Sequence, residues 1–180
     1  MKAAQISKYG GSDVVVVNKN APKPSVSAGR VLVEVFAAGV NPVDWKIREG
    51  YMAKMAPLQF PATLGGDFSG VVQEVGASVS GFKKGDEVYG RDGAPGGGTG
   101  SFAEFISVDT KVTARKPKNV NHLEAAALPL TGVSALQALT EYIGLSKGRK
   151  ILIHGGAGGI GTMAIQLAKH LGAYVATTVG

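Results

Sequence analysis

The residues of this chain best suited to chemistry lie in one turn, Gly156-Ala157-Gly158-Gly159-Ile160-Gly161, a G-x-G-x-x-G with an apolar run before it and an amphipathic run after it. Strand, glycine turn, helix and strand in that order are the context in which the pattern binds a dinucleotide. Gly156 permits the tight turn, Gly158 lets a pyrophosphate approach the backbone, and Gly161 lets the helix pack closely on the strands. Ala157, Gly159 and Ile160 complete the turn, and the helix N-terminus offers unpaired N–H donors to phosphate. A glycine-rich loop without a ligand is the alternative, and the flanking strands weigh against it. The second strand ends Ala176-Thr177-Thr178-Val179-Gly180, without the Asp or Glu that grips the ribose hydroxyls of NAD. NADP is therefore the expected cofactor, with the hydroxyls of Thr177 and Thr178 either contacting a 2′-phosphate or only packing in the strand.

Composition narrows the remaining chemistry. The 180 residues contain no cysteine, which excludes disulfides, thiol nucleophiles and thiolate metal ligands. His122, His154 and His170 fall at no ligand spacing and read as a cap neighbour, a strand end and a helix end, so no metal site is expected. Nineteen Lys and Arg against 13 Asp and Glu give a net charge of +6, with no basic stripe interleaved with aromatics. That balance argues against a nucleic-acid partner and suits a small phosphate-bearing ligand. An apolar share of 44% and 27 glycines imply a real core with many turns. The longest apolar runs, such as Val14–Val17, are far too short to span a bilayer. Met1-Lys2-Ala3-Ala4-Gln5-Ile6 lacks the apolar stretch of a signal peptide, so the cytoplasm is the expected location.

The elements that must position these residues are of two textures. Up to about residue 115, β-branched runs at Val14–Val17, Val31–Val35 and Val71–Val75 are separated by Gly, Pro, Asn and Asp clusters, the pattern of a β barrel or sandwich. Alternation over Arg30–Val35 predicts one buried face, and Lys84–Tyr89 predicts a turn followed by a short strand. The Gly93–Gly100 run reads as a mobile surface loop. From Asn121 helices begin, with Glu124 three residues on as a capping-box partner. A helix is predicted over Thr131–Ile143, with Val133, Leu136, Leu139 and Ile143 on its apolar face, followed by a buried strand over Arg149–His154. After the glycine turn, Met163, Leu167 and Leu171 share a face with Ala164 and Ala168 while Gln166, Lys169 and His170 point outward, and a strand follows over Tyr174–Val179. The predicted division is a catalytic domain over 1–122 and the beginning of a nucleotide-binding domain over 123–180.

Four ordered blocks carry a resemblance that covers nearly the whole chain: Gly39-Val40-Asn41-Pro42-Val43-Asp44, Leu64-Gly65-Gly66-Asp67-Phe68-Ser69-Gly70-Val71-Val72, Leu128-Pro129-Leu130-Thr131-Gly132-Val133-Ser134-Ala135, and the glycine turn with Gln166 and Lys169. In these blocks the chain resembles the zinc-independent quinone oxidoreductase and enone reductase branch of the medium-chain dehydrogenase/reductase superfamily, the group containing ζ-crystallin. The resemblance implies a GroES-like β-barrel followed by a Rossmann α/β domain, NADPH as cofactor, and reduction of quinones or α,β-unsaturated carbonyls. The Asn41–Arg48 block looks like the part of that branch acting on enones and related ketones. Zinc-dependent relatives carry Cys where this sequence has Asn41 and Gly-His-Glu where it has Gly65-Gly66-Asp67, so both ligand positions are vacant. A complete Rossmann domain has about six parallel strands, and two are legible here, which reads as the N-terminal part of a longer protein whose sheet edge would favour association. Relatives commonly dimerise through this domain, so a homodimer is expected of the complete protein.

Conjugated acceptors suit a site without a Lewis acid, because hydride addition gives a delocalised enolate or phenolate that hydrogen bonds can stabilise. In resembling enzymes an Asn and a Tyr line the substrate cleft, which places substrate binding and oxyanion stabilisation on Asn41 and Tyr51. Lys46 could act electrostatically or be a solvated lysine, and Asp44 could orient its neighbours or cap a turn. Ser134 corresponds to a hydroxyl residue near the nicotinamide or is an ordinary helix-start serine. Trp45 reads as core rather than as a stacking platform. A second reading, from a different class, is a catalytically inactive fragment acting through a GroES-like interaction module.

Overall fold

A computed structural model describes residues 1–179, which divide into two compact units, Met1–Pro129 and Leu130–Gly180. In the first unit, β1 (Ala3–Ile6) lies between β2 (Val16–Asn18) and β4 (Ala62–Thr63) in a three-stranded antiparallel sheet. A five-stranded antiparallel sheet has the order β7-β3-β5-β6-β8, from β3 (Arg30–Gly39), β5 (Asp67–Val75), β6 (Glu87–Arg91), β7 (Phe105–Asp109) and β8 (Thr113–Arg115). Helix α1 (Pro42–Arg48) follows β3 directly, and α2 (His122–Ala126) packs on β3, β5 and β6. Helix α2 is held by the sheet it follows and so packs with the first unit.

The β-branched runs form strands because their side chains fill the space on the sheet. Val31, Val33, Phe68, Val72, Val88, Ile106 and Val108 form one buried cluster, each burial contributing about 1.5–3 kcal/mol. A second cluster joins Ile6, Leu58, Ala62 and Leu64. The first β-branched run is shorter as a strand than expected, since Val14 belongs to a 3-10 turn at Ser12–Val14 and only Val16 and Val17 of the run lie in β2, both exposed. The glycine-rich loop is partly tied down: Ala94 packs on the second cluster, and Gly98 donates its N–H to the Gly93 carbonyl at 3.1 Å.

The second unit holds α3 (Pro129–Gln137), a π-helical turn at Ala138–Tyr142, β9 (Lys150–Ile153), α4 (Gly159–His170) and β10 (Tyr174–Thr177). Strands β9 and β10 pair in parallel, in register from Lys150 with Tyr174 to Ile153 with Thr177, so the expected βαβ unit is present. The helix expected over 131–143 starts earlier and changes period, and only Leu139 of its four predicted face residues is buried, with Ala135 beside it. The π turn advances each residue by less than an α-helical step, so a face laid out at α spacing is not preserved through it. Strand β9 is half-covered rather than buried: Ile151 and Ile153 face α4 while Leu152 is 57% exposed. On α4, Met163, Ala164, Leu167, Ala168 and Leu171 do form the packed face, with Gln166, Lys169 and His170 exposed.

Candidate functional site

In the first unit, strand register assembles the polar cluster. Gly39 of β3 pairs with Asp67 of β5, and Asp67 pairs with Arg91 of β6, so the three positions lie in one row across the sheet. The chain leaves β3 at Gly39 and starts α1 three residues later, with Asn41 as N-cap and Pro42 at the first helical position, where its missing N–H costs nothing. That places Asn41 against Asp67: Asn41 Nδ2 donates to Asp67 Oδ2 at 2.9 Å, and Arg91 Nη1 donates to Asp67 Oδ1 at 3.0 Å. Asp67 is 1% exposed. Asp44 closes the group by accepting the Asn41 backbone N–H at 2.7 Å, the capping role that the sequence left open. Burial pushes the Asp44 carboxyl above the usual carboxylate range, against the hydrogen bond from Asn41 and the nearby Arg91 charge. Gly66 lies beside this arrangement, a Cβ there falling 2.7 Å from Arg91 Nη1 in its present rotamer.

Arg91 was not among the residues expected at the site. Nothing in its local sequence marks it, and only the β5–β6 register brings it to Asp67. Asp44 and Arg91 also line a cavity of about 320 Å³, together with Val43, Met52, Gly66 and Asp92. Asp92 is itself buried and paired with Arg30 Nη2 at 2.7 Å while accepting the Asp109 N–H at 2.9 Å. Burial raises its carboxyl as well, outweighing both partners.

Lys46 lies in α1 and Tyr51 just beyond its C-terminal end. Tyr51 follows the C-terminal end of α1, its N–H donating to the Lys46 carbonyl at 3.0 Å, and the seven-residue helix separates it from Asn41 by about 10 Å at 1.5 Å per residue. Trp45, expected in the core, is 40% exposed and meets Tyr51 edge to face, with ring centroids 5.5 Å apart at 83°. Lys46 Nζ lies 5.7 Å from the Trp45 ring centroid. The surface beyond α1 is thus an aromatic pair with a cation at its margin, because neither ring finds a covering element within this unit.

In the second unit, the glycine turn has the geometry its spacing predicts. A Cβ on Gly156 would strike the Thr177 hydroxyl, and one on Gly161 would strike the Gly155 carbonyl and come within 2.8 Å of Gly156 Cα. Gly158 is the N-cap of α4 at φ −77° and ψ 166°, and the first helical bond runs from Thr162 N–H to Gly158 O at 2.9 Å. The N–H groups of the first helical turn, Gly159, Ile160 and Gly161, therefore have no intrahelical acceptor and suit a pyrophosphate. Thr177 Oγ1 donates to Ile153 O at 2.8 Å, and Thr178 Oγ1 accepts the Gly155 N–H at 3.1 Å. The Thr177 bond ties β10 to the end of β9, and the Thr178 bond ties the residue after β10 to the start of the glycine turn. Ser134 lies half-buried in the second turn of α3 rather than at a helix start.

The histidines take structural places. His122 Nδ1 is 2.8 Å from Ser69 Oγ, its Nε2 is 3.3 Å from Glu87 Oε1, and its ring stacks on Phe36. His154 is exposed at the end of β9, and His170 ends α4. Among the described residues, no three His, Cys, Asp or Glu side chains group in a way that could hold a metal ion. No helix among them is long and apolar enough to cross a membrane.

Comparison with known proteins matches residues 27–118 to the alcohol dehydrogenase GroES-like domain. The chain is 46% identical to 2-methylene-furan-3-one reductase of Solanum lycopersicum, over 95% of this chain and 45% of that protein. It is 44% identical to the chloroplastic NADPH-dependent alkenal/one oxidoreductase of Arabidopsis thaliana, again over 95% of this chain and 45% of the other. Among solved structures it superposes on a quinone oxidoreductase from Coxiella burnetii with a TM-score of 0.89 and 38% identity, covering 100% of this chain and 56% of that one. The chain spans about half the length of the curated relatives it matches.

Proposed function

The chain belongs to the alcohol dehydrogenase GroES-like domain family, in the quinone oxidoreductase and enone reductase branch of the medium-chain dehydrogenase/reductase superfamily, and on that premise we propose that it serves NADPH-dependent reduction of quinones or α,β-unsaturated carbonyls without zinc. The observation that carries the reading is the parallel β9–α4–β10 unit, whose turn needs glycine at 156 and 161 for its own packing and leaves the first-turn N–H groups of α4 to a pyrophosphate. Selectivity for NADPH rests on the end of β10, where threonines stand in place of a ribose-binding carboxylate. The Thr178 hydroxyl accepts the Gly155 N–H and keeps its own O–H to donate, so it is the group nearest to hand for a 2′-phosphate, with Thr177 beside it donating to Ile153 O. Ser134 is assigned to the nicotinamide.

Bound NADPH would supply a hydride, which conjugated acceptors take at carbon while charge collects on their oxygen. The Asn41 carboxamide donates to that oxygen, held ready by Asp67 so that no reorganisation is needed as the charge develops. The exposed Tyr51 hydroxyl and Lys46 ammonium are further donors, and the Trp45 and Tyr51 rings offer flat apolar contact to a conjugated substrate. Asp44 caps α1 and so fixes where Asn41 begins the helix. Zinc does not fit this set: position 41 is a carboxamide committed to Asp67, position 66 has no side chain, and Arg91 brings a positive charge into the space beside it.

Calorimetric titration of the folded chain with NADPH and with NADH, followed by an NADPH-oxidation assay on enones and quinones with and without chelator, tests the proposal. Saturable, NADPH-selective binding and chelator-insensitive turnover are expected. A folded chain that binds neither nucleotide would overturn it and leave the interaction-module reading in its place.

A further inference from the structure

The Asn41 carboxamide can work as an oxyanion donor only if one of its N–H bonds points at the substrate, and an asparagine amide has no intrinsic preference between its two orientations. Its surroundings choose one. The Asp67 carboxylate only accepts hydrogen bonds, so the amide must turn its NH₂ group, not its oxygen, toward Asp67. A charge-assisted bond at 2.9 Å is stronger than a neutral one and holds that orientation. The second N–H of the same NH₂ group then projects away from Asp67 at the trigonal angle. The amide is fixed from the backbone side too, because Asp44 accepts the Asn41 main-chain N–H at 2.7 Å and Pro42 begins the helix beside it.

A carboxylate that is 1% exposed needs a counter-charge. Arg91 supplies it at 3.0 Å, from the position directly opposite Asp67 in the sheet. Gly66 lies beside the guanidinium, a Cβ there falling 2.7 Å from Arg91 Nη1 in its present rotamer. We propose that Asp67 and Arg91 are positioning residues for the reaction: together they lock the Asn41 carboxamide so that its second N–H is presented to the substrate oxygen. The proposal rests on the functional reading above, and it assigns to a buried ion pair a role in turnover beyond holding β5 and β6 together.

The test joins a spectroscopic readout to kinetics. In the wild-type chain with NADPH, the two side-chain N–H signals of Asn41 in a ¹⁵N-labelled sample are widely separated, one shifted far downfield by the carboxylate. Addition of 2-cyclohexen-1-one to the NADP⁺-loaded chain moves the other. In Asp67→Asn the side chain keeps its shape and loses its acceptor-only character, so the Asn41 signals converge and the ligand-induced shift disappears. Turnover of 2-cyclohexen-1-one falls roughly ten- to hundredfold in kcat, the range for a misplaced group, with KM within about twofold. Arg91→Lys keeps the charge and recovers part of kcat, whereas Arg91→Leu behaves like Asp67→Asn, so the series remains informative if one variant fails to fold.

Unchanged Asn41 signals in a folded Asp67→Asn chain would overturn the proposal, as would converged signals with wild-type kcat. A fall in kcat that tracks only loss of thermal stability, with the Asn41 signals still separated, would make the pair merely structural. A wild-type chain that shows the separated signals but neither shifts with the enone nor reduces it would sink the functional reading, and the positioning role with it, while leaving the clamp itself visible. The two failures are thereby told apart.

Discussion

Two glycines of the same turn should separate folding from cofactor binding. At Gly158 the backbone is in an extended conformation that alanine adopts freely, and an added Cβ meets only the Gly155 carbonyl oxygen, at 3.3 Å. At Gly161 the Cβ would strike that same carbonyl and come within 2.8 Å of Gly156 Cα, so α4 must move off the turn. Gly161→Ala is therefore an overpacking change costing about 1–3 kcal/mol of stability. Gly158→Ala leaves the fold within about 0.5 kcal/mol of wild type but puts a methyl where the pyrophosphate must approach the backbone. Loss of one hydrogen bond to a charged phosphate costs about 1.5–3 kcal/mol, which is roughly ten- to hundredfold in Kd. Thermal unfolding by circular dichroism measures the first quantity, and calorimetric titration with NADPH at a temperature where all three chains are folded measures the second. The reasoning is refuted if Gly158→Ala binds NADPH as wild type does, or if it loses as much stability as Gly161→Ala.

Arg30→Ala strips the partner from the buried Asp92 and should cost about 3–5 kcal/mol near neutral pH; unfolding in urea followed by the fluorescence of Trp45, the single tryptophan, reports it. Since burial already holds the Asp92 carboxyl above its ordinary value of 3.8, the folded state binds that proton more tightly than the unfolded chain does. The deficit should therefore shrink as pH falls through the folded-state value toward the unfolded one, and a deficit that grows on acidification would contradict the assignment. At the start of α2, Glu124 N–H donates to Asn121 Oδ1 at 2.9 Å and Asn121 N–H to Glu124 Oε2 at 2.8 Å. Asn121→Ala should cost about 1 kcal/mol in the same unfolding measurement, with no change in NADPH affinity.

Where a feature depends on neighbours in the chain, it is legible in the residues. The glycine turn, the packed face of α4 and the Asn121–Glu124 capping box all rest on separations of a few residues, and helical or turn geometry converts such spacing directly into position. The same local logic failed where a fold-level neighbour decides exposure. Trp45 was expected in the core on its apolar character, yet no element of its unit covers it. Strand β9 was expected to be buried, yet its pairing with β10 and cover by α4 leave Leu152 on an open face. In α3 the α-periodic face dissolves into the π turn, a change of backbone period that side-chain spacing does not announce.

The amino-acid sequence by itself determined that a G-x-G-x-x-G turn lies between a strand and a helix, that no thiol chemistry is possible, and that position 41 carries a carboxamide. Only the tertiary structure decided what that carboxamide faces. Asp67 and Arg91 are 24 positions apart, and the register of β5 on β6 sets them side by side, as the register of β3 on β5 brings Asn41 to Asp67. A one-residue slip in either pairing would turn those side chains to the opposite face of the sheet. Register is settled by the burial of Val31, Val33, Phe68, Val72 and Val88 as one cluster, a many-body packing outcome that no short stretch of residues encodes.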